Sequence, residues 1–263
     1  MTPAEIRETQ LQIMDVVDAF CTENGLRYSL SSGTLLGAIR HKGFIPWDDD
    51  VDILMPRPDY ERFWRAFNAA SDGRYTAYNY MMDDEFPHVI CRVSDNTTLA
   101  LNHNRVNKYG VFVDVYVVDA QPDDPEAFER YVETYLRLKT HLKKGAPIWR
   151  CTDSLLVKVK SLLRHPFYMS RKKTVAQLEA FFHAIPYGST HYAGHITGGS
   201  GKRSRLDASL FKGTVRLPFE DRKYLCLAQY DAILRHWYGD YMQLPPEKDR
   251  KPYHSVGCYR LVR

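Results

Sequence analysis

Ser31–Leu54 reads SSGTLLGAIRHKGFIPWDDDVDIL, bringing a small-residue turn, a basic cluster and four carboxylates into one short stretch. Asp48, Asp49, Asp50 and Asp52 repel one another. Two like unit charges ~4 Å apart cost roughly 4 kcal/mol at an effective dielectric near 20. A fold that gathers such groups ordinarily holds a cation among them. All-oxygen ligands on a short segment suit a hard ion, magnesium or manganese. Magnesium on carboxylates generally implies a phosphate on its other side.

Leu26 to Leu30 alternates as a strand does, Ser31-Ser32-Gly33 turns the chain, and Thr34 is placed to cap a short helix through Arg40. A second strand is predicted from about Asp50 to Met55. Side chains two apart on a strand share a face. A strand starting near Asp50 therefore presents Asp50 and Asp52 together, with Val51 and Ile53 in the core and Asp48 and Asp49 in the preceding loop. Asp50 and Asp52 are the expected metal clamp, and Asp48 a further or outer ligand.

Asp114 is a lone carboxylate in the nearly continuous apolar run Val111–Val118, the strongest strand signal in the chain. Such a group must be paired, protonated or metal-bound. Taken alone, a structural salt bridge and a metal ligand are equal readings; the neighbouring D-x-D favours the metal. Two adjacent strands offering Asp50, Asp52 and Asp114 would suit phosphoryl-transfer magnesium. The Gly33-Thr34 turn at a helix start is expected to expose backbone N–H groups to an anion, with Gly33 allowing close approach and Thr34 capping or donating to phosphate. Arg40, His41 and Lys42 are either a solvated helix C-terminus or contacts to the diphosphate or acceptor. Trp47 either stacks on a base or packs in the core. Arg92 and Lys108 are further phosphate candidates, with surface charge the plainer reading of both.

Thr2-Pro3-Ala4-Glu5 starts a helix with a capping box, and Asn24-Gly25 ends it. Ile6, Gln10, Ile13, Met14, Val17, Phe20 and Cys21 form its core stripe. Tyr60, Phe63, Trp64 and Phe67 mark another helix, and short strands are expected over 74–80, 87–93 and 97–101. Pro125 to Ala184 reads as helical, with breaks near Gly145-Ala146-Pro147 and His165-Pro166. A loop over Gly198–Gly201 leads to Lys202, Arg203 and Arg205. Two short strands are expected within Phe211–Phe219 and a helix over Glu220–Trp237. Ser154–Arg164, SLLVKVKSLLR, followed by Arg171-Lys172-Lys173, is a basic amphipathic segment. Either it packs into the core with its basic face in solvent, the commoner arrangement, or it rests on anionic lipid as a peripheral membrane contact through 154–173.

The 263 residues are 44% hydrophobic and 26% charged, ordinary for a globular protein that needs no disulfide support. The net charge of +4 is compatible with anionic substrates but is not the stripe of a nucleic-acid binder. Most of the 18 tyrosines are expected to half-line the core. Five scattered cysteines without a CxxC pair read as reduced thiols. No apolar run approaches the ~20 residues of a membrane span, and Met1 leads into a polar segment rather than a signal peptide. The expected location is cytoplasmic, at most peripheral on the inner face of the membrane.

GTLLGAIRHKGFIPWDDDVDI resembles the signature of the LicD family, which is related to fukutin and the fukutin-related protein. GVFVDVYVVD, at 110–119, resembles the family's third-carboxylate segment, and RLPFEDRKYLCLAQYDAILRHWYGDYMQLPP, at 216–246, its closing segment. The resemblance spans residues from about 10 to 246, without a matched signature over roughly 125–200. It implies an α+β, nucleotidyltransferase-like mixed sheet with flanking helices and a helical C-terminal half. The expected organisation is a catalytic core over 1–122 and a mainly helical region over 123–263 that completes the donor and acceptor site.

The same resemblance implies transfer of a phospho-alcohol, such as phosphocholine or ribitol phosphate, from a CDP-activated donor to a hydroxyl of a glycan or lipid-linked glycan, with release of CMP. Carried over by motif, Asp50 and Asp52 become the metal pair, Asp114 the third ligand and Asp48 a further acidic position. The cofactor would be Mg2+, or Mn2+ in its place. The competing readings are a D-x-D glycosyltransferase using a nucleotide-sugar, which the short motif alone leaves open, and a nucleotide-binding scaffold in an envelope-polymer assembly.

Overall fold

Thr2 opens the first helix of the computed structural model with the expected capping box: Thr2 Oγ1 accepts from the Glu5 N–H and the Glu5 carboxylate from the Thr2 N–H. The structure describes residues 1–84, 86–102, 105–106, 109–144, 154–164, 168–198, 201–251 and 256–261. Lys108, Cys151 and the expected breaks at 145–147 and 165–166 lie outside the described residues, as does part of the 198–201 loop.

In chain order the elements are α1 (Pro3–Glu23), β1 (Ser29–Leu30), α2 (Ser32–Arg40), β2 (Asp52–Pro56), α3 (Arg57–Ala70), β3 (Tyr75–Asn79), β4 (Cys91–Asp95), β5 (Thr98–Asn102), β6 (Arg105–Val106) and β7 (Phe112–Gln121). There follow α4 (Pro125–Lys144), α5 (Leu155–Arg164), α6 (Arg171–His183), β8 (Tyr192–Gly194), β9 (Leu206–Asp207), β10 (Thr214–Phe219), β11 (Arg222–Leu227), α7 (Tyr230–Tyr238) and β12 (Val256–Arg260).

The main sheet runs β1-β2-β7-β4-β3. β2 and β7 are parallel and the other pairs antiparallel, which makes the sheet mixed. Ile53 and Met55 of β2 and Val113, Val115 and Val117 of β7 face Ile13, Met14 and Val17 of α1 and Phe63 and Phe67 of α3 in one core. Each such side chain contributes roughly 1.5–3 kcal/mol on burial. A buried ion pair, Arg57 Nε to Asp119 Oδ1 at 2.7 Å, ties the start of α3 to the far end of β7. α4 and α6 enclose a second core of Phe128, Tyr131, Tyr135, Leu138, Leu178 and Phe182. This is the α+β class with flanking helices that the sequence implies.

Beyond His183 the chain returns to strands. β8 pairs the end of β7, and β12 pairs β5. The helix expected over Glu220–Trp237 is replaced by β11 and the shorter α7. Tyr224, Cys226 and Leu227 are buried while Lys223 is exposed, an alternation hidden inside an apolar-rich run. The strand docks on β1: the Leu225 N–H donates to Tyr28 Oη at 3.3 Å and the Leu227 N–H to Ser29 Oγ at 2.9 Å. Phe211–Phe219 supplies one strand, β10, rather than two, because 208–211 coil into a 3-10 turn. The described cysteines Cys21, Cys91, Cys226 and Cys258 are buried free thiols.

Candidate active site

β2 begins at Asp52, two residues later than expected, so Asp50 remains in the loop and the alternation argument does not apply to it. A register places the carboxylates instead. In the parallel pair Asp52 lies opposite Asp114. The Asp114 N–H donates to the Val51 carbonyl at 2.9 Å, and the Ser31 N–H to the Asp52 carbonyl at 2.9 Å. The Asp52 N–H donates to Thr34 Oγ1 at 2.9 Å. Ser31, not Thr34, holds the N-cap position of α2; Thr34 is buried one turn in and pins the start of β2.

Asp48, Asp49 and Asp50 each offer a carboxylate oxygen within 4.8 Å of the others. Side chains of α1 hold the backbone of this loop. Arg7 donates to the carbonyls of Pro46 at 2.9 Å and Asp48 at 3.2 Å, and Gln10 Nε2 to that of Asp49 at 3.1 Å. Gly33 faces the Asp48 carboxylate so closely that a Cβ there would overlap Asp48 Oδ2. Its missing side chain thus makes room for an acidic group, where the sequence suggested room for a phosphate.

Burial first, then the neighbouring Asp48, Asp114 and Asp49, pushes the Asp50 carboxyl up to about 8. Asp52 is driven well above the usual range, again by burial first and then by Asp50, Asp114 and Asp48, with Arg92 acting in the opposite direction. Arg92 is buried and grips Asp114 with two bonds, Nε to Oδ1 at 2.6 Å and Nη2 to Oδ2 at 2.8 Å. Its guanidinium also lies 3.6 Å from the centre of the Phe112 ring. The expectation of Arg92 as surface charge or phosphate ligand is therefore corrected: a β4 arginine neutralises the β7 carboxylate.

A divalent cation fits this donor set. Asp52 Oδ1 is buried with no hydrogen-bond partner among the described residues. An orphaned buried acceptor beside mutually repelling carboxylates is costly unless a positive charge completes it. Asp48, Asp50 and Asp52 supply hard oxygens suited to magnesium or manganese.

Two cavities meet at the acidic loop. The larger, about 870 Å³, is lined by Gly33, Arg40, Trp47, Asp48, Asp50 and Asp52 on one side and by Tyr238, Asp240, Tyr241 and the 243–250 segment on the other. The smaller, about 310 Å³, is mostly apolar and runs from Asp48–Asp50 to Pro3, Ile6, Gln10 and Phe112. Of the expected phosphate contacts, Gly33 and Arg40 line the larger cleft, whereas Thr34, His41 and Lys42 are not among its lining residues. Arg40 Nη1 donates to the carbonyls of Tyr241 at 2.8 Å and Gln243 at 3.3 Å, tying the 241–243 wall to α2. His41 sets its ring edge-on to Trp47, 6.0 Å between centres, and burial followed by Arg40 lowers its pKa. The Lys42 carbonyl accepts the Glu220 N–H at 2.7 Å.

Residues 25–141 match the LicD/FKTN/FKRP nucleotidyltransferase domain, a range that contains Gly33, the loop aspartates Asp48, Asp49 and Asp50, Asp52, Arg92 and Asp114. Over 99% of its length this chain is 30% identical to the whole of the lipopolysaccharide cholinephosphotransferase LicD of Haemophilus influenzae. The chain belongs to the LicD family. Human ribitol 5-phosphate transferase FKRP is 48% identical over 48 residues, 18% of this chain and 9% of that protein. An uncharacterized protein of Rickettsia prowazekii is 29% identical over 43% of this chain and 40% of its own. The mixed sheet is thus a LicD-type nucleotidyltransferase sheet, and the two relatives named for an activity are both phospho-alcohol transferases.

In this LicD-family chain, sequence reasoning missed Arg7, Gln10 and Arg92 as organisers of the site. Gln10 carries a signal, being a polar residue in an otherwise apolar helical stripe. Arg92 carries another: it alternates with Cys91 and Val93 in a strand, where a cation facing a sheet interior demands a carboxylate partner.

Proposed function

We propose that this protein transfers a phospho-alcohol group, phosphocholine or a close analogue, from a CDP-activated donor to a hydroxyl of a cell-surface glycan or lipid-linked glycan. The acceptor oxygen forms a bond to the β-phosphorus, the bond from that phosphorus to the CMP oxygen breaks, and the acceptor proton passes to a carboxylate. The observation that carries the reading is the convergence of Asp52, opposite Asp114, with the Asp48–Asp50 loop, where Asp48, Asp50 and Asp52 line a cleft large enough for a nucleotide donor. The full-length similarity to a cholinephosphotransferase supports the choice of donor.

Asp50 and Asp52, with Asp48 and Asp114, would hold magnesium or manganese, which when bound supplies charge neutralisation to the diphosphate and the departing CMP. The chain's own contribution is positional. Arg92 fixes Asp114, α1 fixes the acidic loop, and Arg40 fixes the opposite wall. Arg92 donates to both Asp114 oxygens, so the role of base is assigned to a carboxylate of the Asp48–Asp50 loop.

Incubation with CDP-choline, CDP-ribitol and UDP-sugars, with and without magnesium and a glycan acceptor, tests the reading. CMP release together with a phospho-alcohol-modified acceptor is expected. UDP release would favour a glycosyltransferase, pyrophosphate a plain nucleotidyltransferase, and metal binding without turnover a scaffold.

A further inference from the structure

The chain between α4 and α6 is longer than their packing needs. The Met169 N–H donates to His141 Nδ1 at 3.3 Å, so the residues entering α6 already lie beside the end of α4. Residues 145–168 join these two ends, and α5 lies within that stretch of sequence. Long insertions of this kind are generally kept for function.

α5 turns large apolar side chains outward. Leu155 is 78% exposed, Leu156 69%, Val159 48% and Leu163 68%. At about 100° per residue, the four fall within an arc of about 100°. The core-packed arrangement expected as the commoner one therefore does not describe this face. Lys158 and Lys160 lie one on each edge of the arc. Residues 154–173 contain six lysines and arginines and no aspartate or glutamate, and the rest of the chain is net acidic. No helix among the described residues is long and apolar enough to cross a membrane.

We propose that α5 is a membrane-surface helix that lays Leu155, Leu156, Val159 and Leu163 into an anionic lipid interface. The lysines choose the occupant. A second copy of the chain would set the same cationic rim against itself, whereas anionic headgroups complement it while acyl chains take up the apolar arc. The inference stands apart from the transferase reading, because lipid binding is measured with no donor present.

The test is co-sedimentation of the full chain with vesicles of phosphatidylcholine alone and of an equal mixture with phosphatidylglycerol. Binding to the mixed vesicles, little to the neutral ones and weakening in high salt are expected. The Leu155→Ser/Leu163→Ser variant should lose about tenfold or more in partition coefficient, and Lys158→Gln/Lys160→Gln should lose affinity for the mixed vesicles. These positions are exposed or half-exposed, so circular dichroism melts should match the parent protein, and each pair checks the other. The proposal is overturned if the protein stays in the supernatant with both vesicle types, or if the serine variant binds undiminished. A dimer by light scattering that becomes monomeric in the serine variant would also overturn it, assigning the face to self-association.

Discussion

Arg92 holds both carboxylate oxygens of Asp114, at 2.6 and 2.8 Å, while Asp114 stands opposite Asp52 in the parallel register of β2 and β7. One carboxylate of the site thus carries its own counterion, and Arg92 offsets only part of the burial and repulsion that drive Asp52 upward. The asymmetry divides the site: Asp114 is anchored by Arg92, whereas the repulsion among Asp48, Asp50 and Asp52 is what a bound metal would relieve.

Arg92→Met is expected to lower stability by about 3–5 kcal/mol, because it strands a buried carboxylate beside Asp52. Arg92→Lys keeps the charge but not the two-pronged geometry, and should fall between Met and wild type. Urea unfolding of the three proteins checks the order; equal midpoints would show that the pair is structurally idle.

Asp52→Asn should act oppositely on stability and on turnover. Removing a charge whose ionised form is disfavoured by burial leaves the metal-free fold as stable as before or more so. Metal-dependent transfer should fall by at least about 100-fold. Undiminished turnover in a folded Asp52→Asn protein would end the assignment of Asp52 to the metal.

The metal-free protein should become less stable as pH rises from about 4 to about 8. The Asp50 carboxyl sits near 8 in the folded state against an ordinary value of 3.8, so in that window the native state binds more protons than the unfolded one. Its stability then falls with each pH increment. Magnesium held by the proposed site would favour the ionised carboxylates, so it should raise Tm more at pH 8 than at pH 5. Thermal melts in EDTA and in magnesium read both effects; a flat pH dependence in EDTA would contradict the electrostatics.

Gly33→Ala forces the Asp48 carboxylate aside, since a Cβ there overlaps its oxygen. A flexible side-chain end moves at small cost, so Tm should shift little. Metal affinity by calorimetry should drop about ten- to hundredfold, and an unchanged affinity would remove Asp48 from the ligand set.

Arg40→Ala frees the Tyr241 and Gln243 carbonyls and loosens the far wall of the cleft. Steady-state kinetics should show KM for the donor rising about tenfold, the scale of one lost charge-assisted bond, with kcat nearly unchanged.

What was legible in the sequence was local. The Thr2 capping box, the apolar stripe of α1, the short helix ending at Arg40 and the strand around Asp114 each follow from spacing within a few residues. The family followed from one long motif. The tertiary structure alone decided which charges meet. Arg92 and Asp114 are 22 residues apart on antiparallel strands, and Asp52 faces Asp114 across 62 residues of chain through a parallel register. β11 is a strand because Tyr28 and Ser29 receive its N–H groups from nearly 200 positions away. The outward apolar face of α5 is decided the same way. A periodic pattern says that a helix has an apolar side, but only the tertiary structure shows that, among the described residues, no other element covers Leu155, Leu156 and Leu163, because covering depends on neighbours distant in sequence.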